Sequence, residues 1–584
     1  MGSATYHDVV SFALDPQEEY EPDLPLFIDA QDPAQSLNRE QFSLLVRTLI
    51  AGFHAQGLAE GDCVLLHTGN HLLYTALFLA VIGAGGVYMG SNPHSSADEL
   101  THLIQLTHPR LIITEESGLA TVQDVARQTS IPGNHILLCD DPAQTTAVRY
   151  AQTHTLLPPP PPPPPTTPQH LTTLLTHAPT PNQLPALTPE AAASKPAALF
   201  STSGTTGLPK AAILTHANIL AQHAALTAHR RPDGTANQRV RRLIPLPIFH
   251  LFSALFTHLF PLRHGHPVYL PREAFTVPRL LGWVHRHQIQ EVYLVPTMVH
   301  LLLAAAAAAP DEVGVRAQLA SVTYVGVAGA PIDAASMRRL RGLLHPRHAS
   351  CGQIWGMTEC GVVFWRGRDA GGVGGVVPGE TREIVADAHQ PGRLFVRGPG
   401  VFAGYLGRRG REGVDPLGWF DTGDVAYCNA AGEYFVVGRT KELIKVRGYQ
   451  VSPAEIEAVL RKHPLIRDVA VLGVALDPAT ATEAPRAYVV RADGARLAAA
   501  EVYAFALQRL ARYKAIEGGV FFVETIPRTV SGKIQRAKLA GMNQKREALA
   551  GLLGMPRLRI RMRLKAVVVM GLKERLGVVL RGLV

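Results

Sequence analysis

At 584 residues and 63.0 kDa the chain is too long for one hydrophobic core, so two domains are expected. Apolar residues make up 47% and charged residues 18%, which excludes a disordered chain. Five cysteines without a CxxC pair exclude a disulfide scaffold and a structural zinc site. The net charge of +9 says little about the globular part, because residues 541–584 hold ten Lys/Arg against two Glu, and no nucleic-acid-binding motif accompanies it.

The N-terminus, "MGSATYHDVVSFALDPQEEY", lacks the basic start and apolar run of a secretory signal. Tyr6 fills the Ser/Thr slot of a myristoylation pattern, and the final "RGLV" is not a Ser-Lys-Leu-type address. With the cysteine usage, these features point to a reducing, cytoplasmic setting. Next, "GDCVLLHTGN" predicts a short buried strand, and "HLLYTALFLAVIGAGGVYMGSNP" predicts a helix, a glycine stop and a strand. "ADELTHLIQLTHPRLIITEES" predicts another helix and strand, and the alternation argues βαβ units with a parallel sheet. The apolar runs Leu72–Gly90 and "LIPLPIFHLFSALF" are broken by Gly, Pro and His, so they read as core and not as membrane spans.

Pro158–Pro165 must be polyproline II, and the surrounding 141–190 is expected as a flexible, proline-rich surface insertion. "LLLAAAAAAP" predicts a helix stopped by its proline. From about residue 437 the texture changes. "GEYFVVGRTKELIKVRGYQV" predicts strand–turn–strand, and "SPAEIEAVLRKHP" a helix with Ser452 as N-cap, Pro453 at N1 and Glu455 three residues after the cap. "RLRIRMRLK" (557–565) alternates basic and apolar residues within a basic tail that is expected to be unstructured.

The stretch "STSGTTGLPK" carries the strongest chemical signal. Its glycines let the backbone turn its amides on a bound anion, and Ser201, Thr202, Ser203, Thr205 and Thr206 add hydroxyl donors. Lys210 adds a point charge for phosphate oxygens. The spacing is not that of a Walker A loop, and the stretch lies between an apolar strand, "PAALF", and the helix-like "AAILTHANILAQHAAL".

"STSGTTGLPKAAILTHANI" resembles the signature of the adenylate-forming superfamily, which includes acyl-CoA synthetases, 4-coumarate–CoA ligases, luciferases and peptide-synthetase adenylation domains. Further motifs of that family follow in order across residues 40–540. The resemblance implies an α/β fold: a large N-terminal domain of layered α/β subdomains (1–437), a hinge (438–445), a small mobile α+β C-terminal domain (446–540) and the tail 541–584. It implies an ATP-binding set of Ser201, Thr202, Ser203, Gly204, Thr205, Thr206, Gly207 and Lys210. "VGVAGAPI" adds Ala328, Gly329 and Ala330 along the adenine. "GQIWGMTECG" adds Thr358 at the α-phosphate, Glu359 as magnesium holder, and Trp355, an indole in place of the family's usual tyrosine. Asp424 takes the ribose hydroxyls, with Arg439 on the ribose or phosphate side. Lys441 falls at the hinge, and Lys445, Arg447 and Gly448 fall on the CoA side. In "IPRTVSGKIQRAKL", Lys533 is the catalytic lysine, touching carboxylate and α-phosphate together. "PLPIFHLFSAL" supplies His250, Phe249, Phe252 and Ser253 to the acid pocket, and "VGVAGAPI" supplies Gly326.

The implied reaction is ATP- and Mg²⁺-dependent ligation of a carboxylic acid to CoA. An acyl carrier in trans, an amine acceptor and a non-catalytic member of the fold stand as alternatives. Plant 4-coumarate ligases commonly place Tyr two residues after the pocket His; Phe252 stands there, which favours an apolar fatty or simple aromatic acid over a hydroxycinnamate. Gly392-Arg393 replaces the family's usual Gly-Glu.

Overall fold

The computed structural model describes residues 6–16, 19–158, 164–179, 184, 186–202, 209–228, 239–308, 312–365, 373, 375–376, 384–385, 391–408, 412–447, 449–475, 483–529 and 533–541. The chain forms two units, Met1–Val436 and Val437–Val584.

The first unit is built on two large sheets. One has eight strands in the order 404–405, 210–215, 196–202, 87–90, 63–67, 111–114, 136–138 and 169–170. From 196–202 onward these pair in parallel, and the 196–202/210–215 and 210–215/404–405 pairs are antiparallel. Its inner strands are short apolar runs: all five residues of Cys63–His67 are buried, as a parallel strand covered on both faces requires. The helix Tyr74–Gly83 is buried at every position, which accounts for the apolar run there. Among the described residues no helix is long and apolar enough to cross a membrane. The second sheet has seven strands in the order 350–353, 324–327, 291–294, 242–243, 268–270, 27–29 and 36–37, parallel except for its last pair. Smaller antiparallel sheets carry 355–357 with 361–365, and 392–396 with 420–428.

The second unit pairs 444–446 with 449–451 and packs the helices Pro453–Leu460 and Ala499–Leu507 with strands 466–475, 483–491 and 520–522 around Ile456, Leu460, Val469, Val489 and Val502.

Three sequence expectations change. The segment 141–190 is largely structured. A helix Asp141–Thr153 is capped by Asp140, whose carboxylate accepts from the Ala143 amide at 2.9 Å, and it buries Ala147, Val148, Tyr150 and Ala151. Strand Gln169–His170 joins the large sheet, and Leu171, Leu174 and Leu175 follow into the core. The prolines had masked this short apolar periodicity; residues 159–163 lie outside the described residues. Next, "KAAILT" is not helical. It pairs with 196–202 on one side and with Gly404–Tyr405 on the other, and the helix starts only at His216. Alanine favours helix locally, but two sheet partners outweigh that preference. Finally, Ser452 sits at an N-cap position without capping: its hydroxyl donates to the Val437 carbonyl at 2.7 Å, and Glu455 pairs with Lys514. The tail beyond Gly541, including 557–565, lies outside the described residues.

Candidate active site

The strand Pro196–Thr202 delivers Ser201 and Thr202 at its C-terminal end, where parallel α/β sheets present their ligand sites. Ser203, Gly204, Thr205, Thr206 and Gly207 lie outside the described residues. The chain returns as an antiparallel strand, with Thr202 opposite Lys210. Lys210 Nζ donates to Glu412 Oε1 at 3.0 Å and lies 4.4 Å from the centroid of the Tyr405 ring. Tyr405 is fixed there because Gly404–Tyr405 pairs with Ala212–Ile213.

The Tyr405 hydroxyl donates to Glu359 Oε1 at 2.8 Å. Glu359 is 5% exposed, and its carbonyl accepts from the Phe402 amide at 2.8 Å. Thr358 beside it is half-buried. The turn carrying both joins strands 355–357 and 361–365, and Gly361 closes it at φ +67°, a conformation that favours glycine. A hard dication that keeps its waters and binds phosphate oxygens needs only one or two protein carboxylates, so Glu359 fits a magnesium that arrives with ATP. Among the described residues no cluster of three or more His, Cys, Asp or Glu could hold a metal by itself.

Trp355 Nε1 donates to Asp424 Oδ2 at 3.0 Å, so the indole that stands for the family's tyrosine keeps a polar link to the proposed ribose carboxylate. Asp424 is 5% exposed, and its amide donates to Thr422 Oγ1. Phe364 backs the indole at 5.3 Å and stacks on Tyr434. At the end of strand Tyr324–Val327, Ala328 is buried, Gly329 turns at φ +91° and Ala330 is half-buried.

His250 occupies the N-cap position of helix Leu251–Thr257 and is half-buried, with its ring 4.6 Å from that of Phe249. Phe252 meets Tyr293 edge-on at 5.9 Å. Ser253 is buried, and its hydroxyl has no hydrogen-bond partner among the described residues. Gly326 faces Tyr293: a Cβ there would lie 2.8 Å from Tyr293 Cδ1 and 2.8 Å from Ile354 Cδ1. Gly326→Ala is therefore expected to displace both side chains and to lower stability by about 1–3 kcal/mol, read as a drop in the melting temperature. An unchanged melting temperature would show that the wall yields freely.

In the second unit, the Arg439 carbonyl accepts from the amides of Glu442 and Leu443, which tightens the turn holding Lys441. Lys441, Lys445, Arg447 and Lys533 are exposed. Arg447 sits at φ +48° and pairs with Glu517 at 2.9 Å, and the Lys445 amide donates to Glu483. Gly448 lies outside the described residues. Around Lys533, the Thr529 amide donates to the Lys533 carbonyl and the Lys533 amide to Thr529 Oγ1. Arg528 beneath them holds Asp468 at 2.9 Å.

The expected residues of the first unit thus gather as Lys210 with Glu359 through Tyr405, Trp355 with Asp424, and Phe252 with Gly326 through Tyr293. Sequence reasoning missed Tyr405, Glu412 and Tyr293. Tyr405 lies within "GPGVFAGYLG", where no spacing reveals that it reaches the lysine and the glutamate of two earlier motifs.

The family model of AMP-binding enzymes matches residues 14–406, and that of their C-terminal domain matches residues 455–533. The chain is 44% identical over 561 residues to a nicotinic acid–CoA ligase of Penicillium canescens, covering 94% of this chain and 99% of the relative. It is 37% identical to a phenylacetyl-CoA ligase of Aspergillus niger, covering 91% and 97% respectively. Its fold is similar to that of the crystal structure of an anthranilate CoA ligase in complex with anthranoyl-AMP, with TM-score 0.77 at 20% identity over 93% of this chain and 98% of that one.

Proposed function

Because the chain belongs to the AMP-binding enzymes and is an AMP-forming acyl-CoA synthetase working with ATP, CoA and a small carboxylic acid, we propose that its acid is a compact aromatic or heteroaromatic carboxylate. The observation that carries this reading is Phe252, a half-buried ring that packs edge-on against Tyr293 and can offer its own edge to a flat acid. The names of the nicotinic and phenylacetic acid relatives support the same class. Phe252 offers no hydroxyl to a phenolic acid.

In the first step a carboxylate oxygen attacks the α-phosphorus, the bond to the β-phosphate bridging oxygen breaks, and pyrophosphate leaves. Ser201, Thr202, Ser203, Thr205 and Thr206, the amides of Gly204 and Gly207, and Lys210 cradle the phosphates in this reading. Thr358 donates to the α-phosphate. Asp424 accepts from the ribose hydroxyls, Arg439 stands on the ribose or phosphate side, and Ala328–Ala330 and Trp355 flank the adenine. Glu359 would hold a magnesium ion arriving with ATP, which would supply positive charge against that building on the leaving group. Lys533 balances charge on the carboxylate and α-phosphate, so catalysis is positioning plus electrostatics. In the second step the CoA sulfur attacks the acyl carbon, the bond to AMP breaks, and the thiol proton is released. Lys445, Arg447 and Gly448 serve the CoA side, with 438–445 as hinge through Lys441, and Phe249, His250 and Ser253 complete the acid pocket. Five free cysteines suit a reducing, cytoplasmic location.

The test is pyrophosphate release and thioester yield with nicotinate, benzoate, phenylacetate, 4-coumarate and octanoate, each with and without CoA. One of the first three is expected to exceed 4-coumarate in kcat/KM by roughly 100-fold, the scale on which pockets reject a misplaced hydroxyl. Preference for octanoate or 4-coumarate overturns the aromatic reading. Pyrophosphate release without thioester points to a carrier or amine acceptor.

A further inference from the structure

The Lys210 ammonium and the Glu359 carboxylate contact the same tyrosine, one at the ring face and one at the hydroxyl. A lysine beside a carboxylate only 5% exposed would ordinarily collapse into an ion pair, since low local dielectric strengthens the attraction. Here the ammonium pairs instead with Glu412, whose side chain is 45% exposed. Tyr405, which both groups contact, is itself held by several backbone bonds. Besides its strand pairing, the Ala403 amide donates to the Ile213 carbonyl and the Leu406 amide to the Ala211 carbonyl, both at 2.9 Å. The Phe402 amide ties the same segment to the Glu359 backbone at 2.8 Å, and the Phe402 ring meets Tyr405 edge-on at 4.9 Å.

We propose that Tyr405 is a positioning residue that insulates the phosphate lysine Lys210 from the metal carboxylate Glu359. Its hydroxyl orients the carboxylate, and its ring face holds the ammonium by a weak cation–π contact, so each stays available to its own ligand. The ammonium leaves the ring and the exposed Glu412 when phosphate oxygens arrive, because an ion pair to an exposed carboxylate and a partly exposed cation–π contact are both weak. The carboxylate keeps its orientation throughout, because its donor belongs to a strand-paired segment. The inference rests on the assignment of Lys210 to phosphate and Glu359 to magnesium.

The two contacts separate in two substitutions. Tyr405→Phe keeps the ring and the packing against Phe402 and removes only the donor to Glu359. Tyr405→Leu removes both. Calorimetric titration of ATP into the full-length protein, in magnesium and in EDTA, reads the metal contribution as the ratio of the two Kd values, independently of turnover. For Tyr405→Phe that ratio is expected to shrink by about tenfold, the scale of one hydrogen bond to a charged group, with the Kd in EDTA unchanged. For Tyr405→Leu the Kd in EDTA is expected to weaken as well. Lys210→Ala and Glu359→Gln run alongside as references. If these two alter ATP and magnesium binding as assigned while Tyr405→Phe matches the wild type, the insulating role is overturned and the site assignment stands. If the two references themselves bind ATP and magnesium like the wild type, the site assignment fails and the inference fails with it. A merely structural role is read as a lowered melting temperature with an unchanged Kd ratio, and it also overturns the proposal.

Discussion

Lys533→Ala is expected to slow acyl-adenylate formation by about 100- to 1,000-fold, the usual cost of removing one preorganised charge contact from a developing anion. The carboxylate and the α-phosphate are both negative before they react, so each contact that balances them counts most at the transition state. Lys533 is exposed, and surface substitutions of this kind usually change stability by less than about 0.5 kcal/mol, so the loss cannot be ascribed to unfolding. Its backbone carbonyl and amide, both bonded to Thr529, are retained by alanine. The discriminating measurement is a split of the two half-reactions. Acid-dependent pyrophosphate exchange should fall, whereas thioester formation from supplied acyl-adenylate and CoA should be nearly preserved, because that step displaces AMP and no longer forms a bond to phosphorus. Equal loss in both halves would mean that the effect is not particular to the phosphoryl step, and unchanged pyrophosphate exchange would remove the lysine from that step.

Asp424→Ala is expected to weaken ATP binding by about 100-fold or more. Hydrogen bonds to a charged acceptor are worth about 1.5–3 kcal/mol each, and a buried carboxylate facing both ribose hydroxyls would lose two of them. The substitution also leaves Trp355 Nε1 without its acceptor, so the indole loses the bond that sets its orientation. Asp424→Asn keeps an oxygen for the indole and removes the charge, which divides the two effects. Comparison of ATP with 2′-deoxy-ATP gives the decisive contrast: the wild type should favour the ribonucleotide, and the alanine variant should bind the two alike. A variant that still discriminates between them would remove Asp424 from the ribose.

How far the fold was legible depended on how local its causes are. The strand at Cys63–His67, the helix at Tyr74–Gly83 and the strand at Val87–Gly90 were readable because apolar runs and glycine stops act over a few residues. The segment "KAAILT" was not, since its conformation is set by pairing with Gly404–Tyr405, far along the chain. The region 141–190 misled for the opposite reason: its prolines dominate the composition, while the helix there is held by a single aspartate cap and a few buried alanines and apolar side chains. Ser452 has the right residue type and position for a cap, yet a carbonyl at Val437 takes its hydroxyl.

The kinds of chemistry available are legible in the chain: a hydroxyl- and glycine-rich loop ending in one lysine, a lone Thr–Glu pair after a glycine strand, an aspartate in "FDTGD", and a lysine in a second glycine loop. Those properties reside in residue type and short spacing. How they meet is set by the fold. It brought Lys210 to the Tyr405 ring face and Glu359 to the Tyr405 hydroxyl, gave the Trp355 indole to Asp424, and set Tyr293 against Gly326. These contacts join segments that are distant in the chain. Strand register and close packing, which act through space, fix them, and local propensity carries no information about either.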